Sequence, residues 1–157
     1  MIVEKAIQSD IDKLVDMRIA YLREDNGHLD ASDEKEIMTR LPDYFKTHLN
    51  DDLFCFIVRH NDDIIACAFL LVIIKPMSSA FINGKTGTVF NVYTKPYYRH
   101  QGYGKMLVGE LIEEAKRLEL STVELKSTDA GYSLYKSTGF EDDNSKYHLM
   151  KWKNQSL

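Results

Sequence analysis

Two glycines and a lysine lie close together in the segment YYRHQGYGKM, at Gly102, Gly104 and Lys105. An apolar run with helical spacing follows them. At the amino end of such a helix, peptide N–H groups can converge on an anion, and the macrodipole favours negative charge. Lys95 and Arg99 add local positive charge to a chain whose formal net charge is −4. The segment therefore indicates a local anion site, with a plain glycine turn between strand and helix as the alternative reading.

Two common nucleotide-binding motifs do not fit this segment. A P-loop requires a glycine five positions before the Gly-Lys pair and a Ser or Thr after the lysine, but Arg99 and Met106 stand there. A dinucleotide fingerprint requires a small residue three positions beyond the second glycine, where the chain has Leu107. The sequence therefore predicts an anion other than a P-loop nucleotide or a dinucleotide.

Hydrophobic periodicity predicts the elements that must position this loop. A short strand and a helix come first, then a helical region from about Ser32 to Leu49 that Pro42 is expected to divide. The runs LFCFIVRH and DIIACAFLLVII, joined by an Asn-Asp hairpin turn, and the run TVFNVYT are predicted strands. After the loop we expect a helix, the strand TVELKS, a short helix over Ala130 to Ser137 and a last strand containing Tyr147 to Trp152. This order predicts a mixed α/β sheet with helices on both faces, antiparallel first and with a crossover later.

The composition limits the class of protein. With 157 residues, 44% of them hydrophobic, we expect one domain with an ordinary core. The longest apolar run, Ile64 to Ile74, is too short to cross a membrane, and the first residues do not have the pattern of a signal peptide. The net negative charge argues against broad nucleic-acid binding. We therefore predict a cytoplasmic protein that binds neither nucleic acid nor membrane.

The cysteines and histidines give no sign of a metal centre. Cys55 and Cys67 stand among apolar, strand-like neighbours, which favours buried small hydrophobes over a redox pair. The five histidines are scattered, without the spacing of a zinc site. We predict that no metal takes part.

The loop and a second segment together resemble a known family. The pattern R-x-x-G-x-G, formed by Arg99, Gly102 and Gly104, is preceded by VYTKPYY and followed about thirty residues later by LYKSTGF. These segments resemble the GNAT superfamily of N-acetyltransferases, and the earlier elements fit the family's order. The resemblance implies one N-acetyltransferase domain over residues 1–157, with a mixed, mostly antiparallel sheet that is splayed at its central strands. It also implies acetyl-CoA as co-substrate and is compatible with a homodimer.

The resemblance assigns cofactor contacts to two segments. Backbone groups of Val92, Tyr93 and Thr94 would pair with the pantetheine arm as an added strand pairs with a sheet edge. Arg99 is also assigned to cofactor binding, and the pyrophosphate would be bound by the backbone amides of His100, Gln101, Gly102, Tyr103, Gly104 and Lys105. Glycines are expected here because a Cβ would hold the backbone away from the phosphate oxygens.

By the same resemblance, Tyr135 of LYKSTGF is the candidate acid that meets the departing thiolate. Because a phenol is a weaker acid than a thiol, full proton transfer in water is uphill by about 2 kcal/mol, so hydrogen bonding to the sulfur is the expected contribution. Two alternatives are aromatic packing by Tyr135 and competition from Tyr132, one turn earlier. A backbone N–H within Val92 to Thr94 would meet the carbonyl oxygen.

The general base has the weakest signal. Some relatives place a glutamate where this chain has Thr88. Glu24, Asp25 and Asp30 stand in an early loop that, by resemblance, borders the acceptor site, but solvated loop charges are the simpler reading. Thr128 stands where many relatives carry an asparagine, and capping of the short helix by Ser127, Thr128 or Asp129 is the expected role of this segment.

The resemblance implies transfer of an acetyl group from acetyl-CoA to a primary amine of a small molecule or protein by direct attack. A non-catalytic acyl-CoA-binding module is the alternative. The early acidic residues hint at a cationic amine as acceptor.

Overall fold

The computed structural model describes all 157 residues of the chain. The helices and strands, in chain order, are β1 Val3–Lys5, α1 Ile11–Asp25, α2 Ala31–His48, β2 Leu53–His60, β3 Asp63–Ile74, β4 Lys85–Thr94, α3 Tyr103–Arg117, β5 Thr122–Glu124 and α4 Asp129–Ser137. Short 3₁₀ turns precede α1 at Gln8–Asp10 and α3 at Pro96–Tyr98.

The five strands form one sheet in the order β1-β2-β3-β4-β5. Neighbours are antiparallel from β1 to β4, and β4 pairs with β5 in parallel through the α3 crossover. The parallel pairing is limited to Thr86–Thr88 of β4, whereas β4 continues to Thr94. The sheet is therefore mixed, mostly antiparallel and open between its two last strands beyond Thr88, which confirms the predicted fold class.

Helices cover both faces of the sheet because β3 buries side chains on both. Cys67 and Phe69 of β3 belong to the core beneath α1 and α2, where the Phe69 ring meets that of Phe45 edge to face at 5.9 Å. Ala68 and Leu70 belong to the opposite core beneath α3. An apolar run without alternation is typical of such a central strand.

The hairpin between β2 and β3 follows from its two turn residues. Asn61 and Asp62 have φ values of 49° and 65°. Positive φ at both central positions is the requirement of a type I′ turn, whose twist matches that of the strands.

Two predicted elements differ in the structure. Pro42 lies inside α2 without dividing it. A proline in a helix interior costs about 3 kcal/mol, and burial of Phe45 together with the packing of Leu41 against the same core offsets this cost.

The last strand is the second difference. The stretch from Tyr147 to Trp152 forms no strand, and its side chains are exposed, with Trp152 at 83%. Its apolar and aromatic residues suit a strand, but β5 ends at Glu124 after only three residues and gives it little to pair with. Elsewhere, no helix combines the length and the apolar character needed to span a bilayer.

Candidate active site

The loop before α3 presents unpaired backbone amides. His100 and Gly102 have φ values of 62° and 85°, and Gly102 is the N-cap of α3. The first helical hydrogen bond runs from the Met106 N–H to the Gly102 carbonyl at 3.1 Å. The N–H groups of residues 100–105 donate no hydrogen bond of normal geometry within the chain. Because they are consecutive and stand at the positive end of a helix, they suit an anion such as a phosphate.

Glycine is needed at Gly102 and at Gly104 for different structural reasons. A Cβ at Gly102 would meet nothing within 4 Å, so the left-handed φ requires glycine there and the backbone is open to a ligand. A Cβ at Gly104 would stand 3.2 Å from Cδ2 of Leu134 in α4. Gly104 therefore also allows α3 to approach α4 closely, which sequence reasoning did not foresee.

The positive charge around the loop is smaller than the sequence suggests. Lys95 pairs with Asp63 at 2.5 Å. The Arg99 guanidinium donates to Glu24 at 2.6 Å and to the Thr94 carbonyl at 2.9 Å. Arg99 thus ties the end of α1 to the end of β4, and Lys105 alone of the three predicted cations has no acidic partner.

The candidate bases lie elsewhere than expected. Glu24 and Asp25 belong to the last turn of α1 rather than to a loop, and Asp30 is the N-cap of α2, where it contacts His28 at 2.8 Å. The hydrogen bond from Arg99 is the main cause that lowers the pKa of Glu24. A carboxylate with a lowered pKa is a weaker base, so Glu24 is poorly suited to accept the proton of an amine.

The predicted pantetheine segment lies at a free strand edge. Thr94 and Tyr93 pair with Ala66 and Cys67 of β3, but no residue of β5 pairs beyond Thr88 of β4. The backbone edge that faces away from β3 is therefore open from there to Thr94, as strand addition by a ligand requires.

A bulge in β4 directs Asn91 inward. The register shifts between Cys67 and Phe69 of β3, so that Asn91 and the next residue of β4 oppose Ala68 alone, and Asn91 has a φ of 54°. The Asn91 amide donates to the Cys67 sulfur at 3.4 Å, and its oxygen accepts from Arg18 of α1 at 3.2 Å. Burial raises the pKa of the Cys67 thiol to about 12, so both cysteines, buried as predicted, are poor nucleophiles.

Arg18 is the functional candidate that sequence reasoning missed. It follows Leu14 by four residues and precedes Leu22 by four, so it stands on the apolar stripe of α1. A charged residue in that register was the available signal. Arg18 lines a cavity of about 280 Å³ between α1, α2 and the sheet, whose other lining residues are Leu41, Tyr44, Phe45, Leu53, Phe69, Leu71 and Phe90.

Tyr135 belongs to α4 and is half-buried. Thr128 caps the helix, as predicted, by accepting from the Gly131 N–H at 3.3 Å. Burial, with a smaller contribution from Tyr21 of α1, raises the pKa of Tyr135 to about 12. Tyr21 in turn contacts Tyr93 of β4 edge to face at 6.4 Å. Tyr21 thus contacts β4 directly and contributes to the raised pKa of Tyr135.

The competing Tyr132 is engaged elsewhere. Its hydroxyl donates to the Asp142 carboxylate, with oxygen–oxygen distances of 2.7 and 2.8 Å, and the residue is exposed. The Tyr135 hydroxyl makes no hydrogen bond within the chain, and no buried side-chain polar atom lacks a partner, so this hydroxyl reaches solvent. Of the two tyrosines, Tyr135 is the one free to meet a substrate.

Comparison with known proteins decides the family. The sequence profile described as Acetyltransferase (GNAT) family matches residues 14–140. The chain belongs to the GNAT acetyltransferase family. The predicted resemblance is therefore confirmed, and with it the assignment of the chain to a family of acyl-transferring enzymes.

Solved GNAT structures agree with this assignment. A predicted acetyltransferase of Clostridium acetobutylicum, crystallised with acetyl-CoA, is 31% identical, with a TM-score of 0.82 over 94% of each chain. A GCN5-related N-acetyltransferase of Ralstonia eutropha is 21% identical over 94% of this chain and 97% of that one, with a TM-score of 0.78, and shows the fold alone.

A relative is also found by sequence. An uncharacterized N-acetyltransferase, ycf52, of Pyropia yezoensis is 31% identical over 70 residues, which is 45% of this chain and 40% of the relative.

Proposed function

We propose that this GNAT chain transfers the acetyl group of acetyl-CoA to a primary amine of a small molecule or protein by direct attack, within one domain over residues 1–157. The observation that carries the proposal is the row of unpaired amides at residues 100–105, next to the open edge of β4. The Clostridium acetobutylicum relative crystallised with acetyl-CoA supports the choice of cofactor.

The residues present suit coenzyme A. The amides of residues 100–105 would bind the pyrophosphate, because consecutive N–H groups at a helix amino end satisfy phosphate oxygens without a side-chain charge. The backbone of Val92, Tyr93 and Thr94 would pair with the pantetheine arm. Acetyl-CoA supplies the acetyl group in activated form, as a thioester. Arg99 supports this site indirectly, since its guanidinium is bound to Glu24 and to the Thr94 carbonyl.

Tyr135 is proposed as the group that stabilises the departing sulfur. With a pKa of about 12 the phenol stays protonated at neutral pH and can donate a hydrogen bond. The raised pKa also makes full proton transfer to a thiolate more unfavourable than for a phenol in water. We therefore assign to Tyr135 a hydrogen bond that strengthens as negative charge develops on sulfur. A backbone N–H of β4 would stabilise the carbonyl oxygen in the same way.

A non-catalytic acyl-CoA-binding module is the second candidate, and it is favoured by the absence of a carboxylate at Thr88 and by the weak basicity of Glu24. The two functions are separated by measuring thiol release from acetyl-CoA with a panel of amino acids, small amines and peptides. If the protein is an enzyme, thiol should be released with at least one amine. A raised melting temperature with acetyl-CoA but no release on any amine would instead show the binding module, and an unchanged melting temperature at saturation would contradict both.

The other sequence predictions remain predictions. These are the cytoplasmic location, the homodimer and the absence of nucleic-acid, membrane and metal partners.

A further inference from the structure

We propose that the cavity beside Arg18 binds an acceptor amine that carries an apolar body and a carboxylate, as a hydrophobic amino acid does, with Arg18 as the partner of that carboxylate. The inference rests on the proposed function, because the same molecule must present its amine to the acetyl group. The chemistry of the cavity and the pairing of the arginines support it.

The cavity is suited to an apolar body. Its volume is about 280 Å³, close to the lower end for small-molecule sites. Phe45 of α2, Phe69 of β3 and Phe90 of β4 supply aromatic surface, and Arg18 is its one charged residue. Phe90 is 42% exposed, so the cavity opens to solvent beside β4.

Arg18 differs from every other arginine of the chain. The other five each pair with a carboxylate within 4 Å: Arg23 with Glu34, Arg40 with Glu36, Arg59 with Glu4 and Asp10, Arg99 with Glu24, and Arg117 with Glu114. Arg18 is half-buried, and its hydrogen bond within the chain goes to the neutral amide oxygen of Asn91. A guanidinium has five N–H donors, so donors remain for a ligand. Partly buried charges are usually paired, and the missing partner is assigned here to the ligand.

The position of Arg18 relates the cavity to the reaction. Asn91, which Arg18 contacts, directly precedes the backbone segment Val92 to Thr94. The Arg18 guanidinium also lies 5.7 Å from the ring centre of Tyr21. Tyr21 contacts the ring of Tyr93 and contributes to the raised pKa of Tyr135. The charged residue of the cavity therefore contacts the strand that carries the proposed pantetheine segment, which favours a carboxylate close to the amine.

The transfer itself is balanced without a further reactant. The neutral amine nitrogen forms a bond to the acetyl carbon as the carbon–sulfur bond of the thioester breaks. The nitrogen loses one proton and the sulfur gains one, which gives the N-acetylated amino acid and free coenzyme A.

Matched acceptor pairs test the carboxylate. Thiol release is measured with L-phenylalanine against 2-phenylethylamine and with L-leucine against 3-methylbutylamine, for wild type, Arg18→Met, Arg18→Lys and the control Arg40→Met. Arg40 is a suitable control because it is an exposed arginine in a surface pair with Glu36. We expect wild type and Arg40→Met to favour the amino acid in kcat/KM by about 10- to 100-fold, as the loss of a charged hydrogen bond implies. Arg18→Met should remove the preference, and Arg18→Lys should restore part of it.

Several results would overturn the inference. One is an equal preference for the amino acid over the matched amine in wild type and Arg18→Met. Another is faster transfer to the amines that lack a carboxylate. A third is a preference for octanoyl-CoA over acetyl-CoA, which would make the cavity an acyl site. Melting temperatures of the two Arg18 variants show whether they are folded, and Arg18→Lys keeps the charge if Arg18→Met does not fold.

A binding measurement separates this inference from the proposed function. Calorimetric titration of the coenzyme A-bound protein with 3-phenylpropionate, a carboxylate without an amine, requires no turnover. We expect binding that Arg18→Met weakens by about 10-fold or more. Binding without any acetyl transfer would contradict the proposed function but support the carboxylate site, whereas transfer without Arg18-dependent binding would do the reverse.

Discussion

The two sides of the candidate site are built from different parts of the chain. On the cofactor side, residues 100–105 and the edge of β4 offer backbone groups that are free, while the nearby Lys95 and Arg99 are already paired. On the proposed acceptor side, the cavity beside Arg18 is formed by side chains of α1, α2 and the sheet. A backbone site depends on chain geometry and can be shared across a family, whereas a side-chain site can change with single substitutions. The cofactor is therefore easier to infer than the acceptor.

The largest expected effect separates Tyr135 from Tyr132. Tyr135→Phe should lower kcat by about 100-fold or more, because the hydrogen bond to the developing thiolate is lost. The KM for acetyl-CoA should change much less. Tyr132→Phe is the matched control, because Tyr132 lies on the same helix as Tyr135 and its phenol is bound to Asp142. It should leave kcat within about twofold. Equal losses in steady-state kinetics would assign no special role to Tyr135.

The next effect compares two glycines with left-handed backbones. Gly102 and Gly27 have φ values of 85° and 69°, and a Cβ at either meets nothing within 4 Å. Alanine at either position should therefore lower the free energy of unfolding by about 1 kcal/mol. Gly102→Ala alone should also weaken acetyl-CoA binding about 10-fold in calorimetry, through loss of amide contacts. Equal affinity in both variants would place the cofactor elsewhere.

Substitution of Glu114 tests whether the ion pairs near the end of α3, with Lys5 and Arg117, are independent of the anion site at the start of that helix. Burial acts to raise the pKa of Glu114, but hydrogen bonds from Lys5 and Arg117 outweigh it, so the pKa lies below its ordinary value. Glu114→Gln should lower the free energy of unfolding by about 1–2 kcal/mol at neutral pH and leave acetyl-CoA affinity unchanged.

The pH dependence of this loss has a definite sign. Because the folded pKa of Glu114 is lowered, its contribution is full above the unfolded pKa of about 4.3 and is lost as the pH falls through the folded value. Denaturant titrations of both proteins should converge under acid conditions. A difference that grows as the pH falls would contradict the assignment.

The smallest expected effect concerns Glu24. Because its pKa is lowered by Arg99, Glu24 stays ionised on both sides of neutral pH, and its removal should not change the shape of the pH profile of kcat/KM. Glu24→Gln should reduce the rate by less than about threefold, as should Glu34→Gln, which breaks the comparable pair with Arg23. Loss of the acidic limb in Glu24→Gln alone would make Glu24 the base after all.

The sequence predicted the fold better than the side-chain contacts around the Arg18 cavity. The strands Leu53–His60 and Asp63–Ile74, the Asn-Asp turn between them and the glycine turn before α3 follow from local signals, and each is confirmed as structure. Two predictions were wrong. Pro42 was expected to divide α2, but tertiary packing outweighs its local preference. A strand was expected over Tyr147 to Trp152, but the short β5 gives it little to pair with.

The acceptor side needs contacts between residues far apart in the chain. Arg18 and Asn91 are brought together by a bulge in β4, and the pairing of Arg99 with Glu24 joins α1 to the loop before α3. Charge counts along the sequence suggested a cationic acceptor, yet Glu24 is paired and the unpaired charge near the cavity is that of Arg18. No local pattern could have shown which charges are neutralised.

The most direct test of the central claim is a ¹⁵N–¹H NMR titration with coenzyme A and, in parallel, with S-acetylpantetheine, which lacks the pyrophosphate. Binding of the pyrophosphate by free amides predicts that coenzyme A gives its largest shifts at the N–H groups of residues 100–105, and that S-acetylpantetheine shifts the Val92 to Thr94 segment but leaves the loop nearly unchanged. Coenzyme A shifts that avoid residues 100–105 would contradict the account.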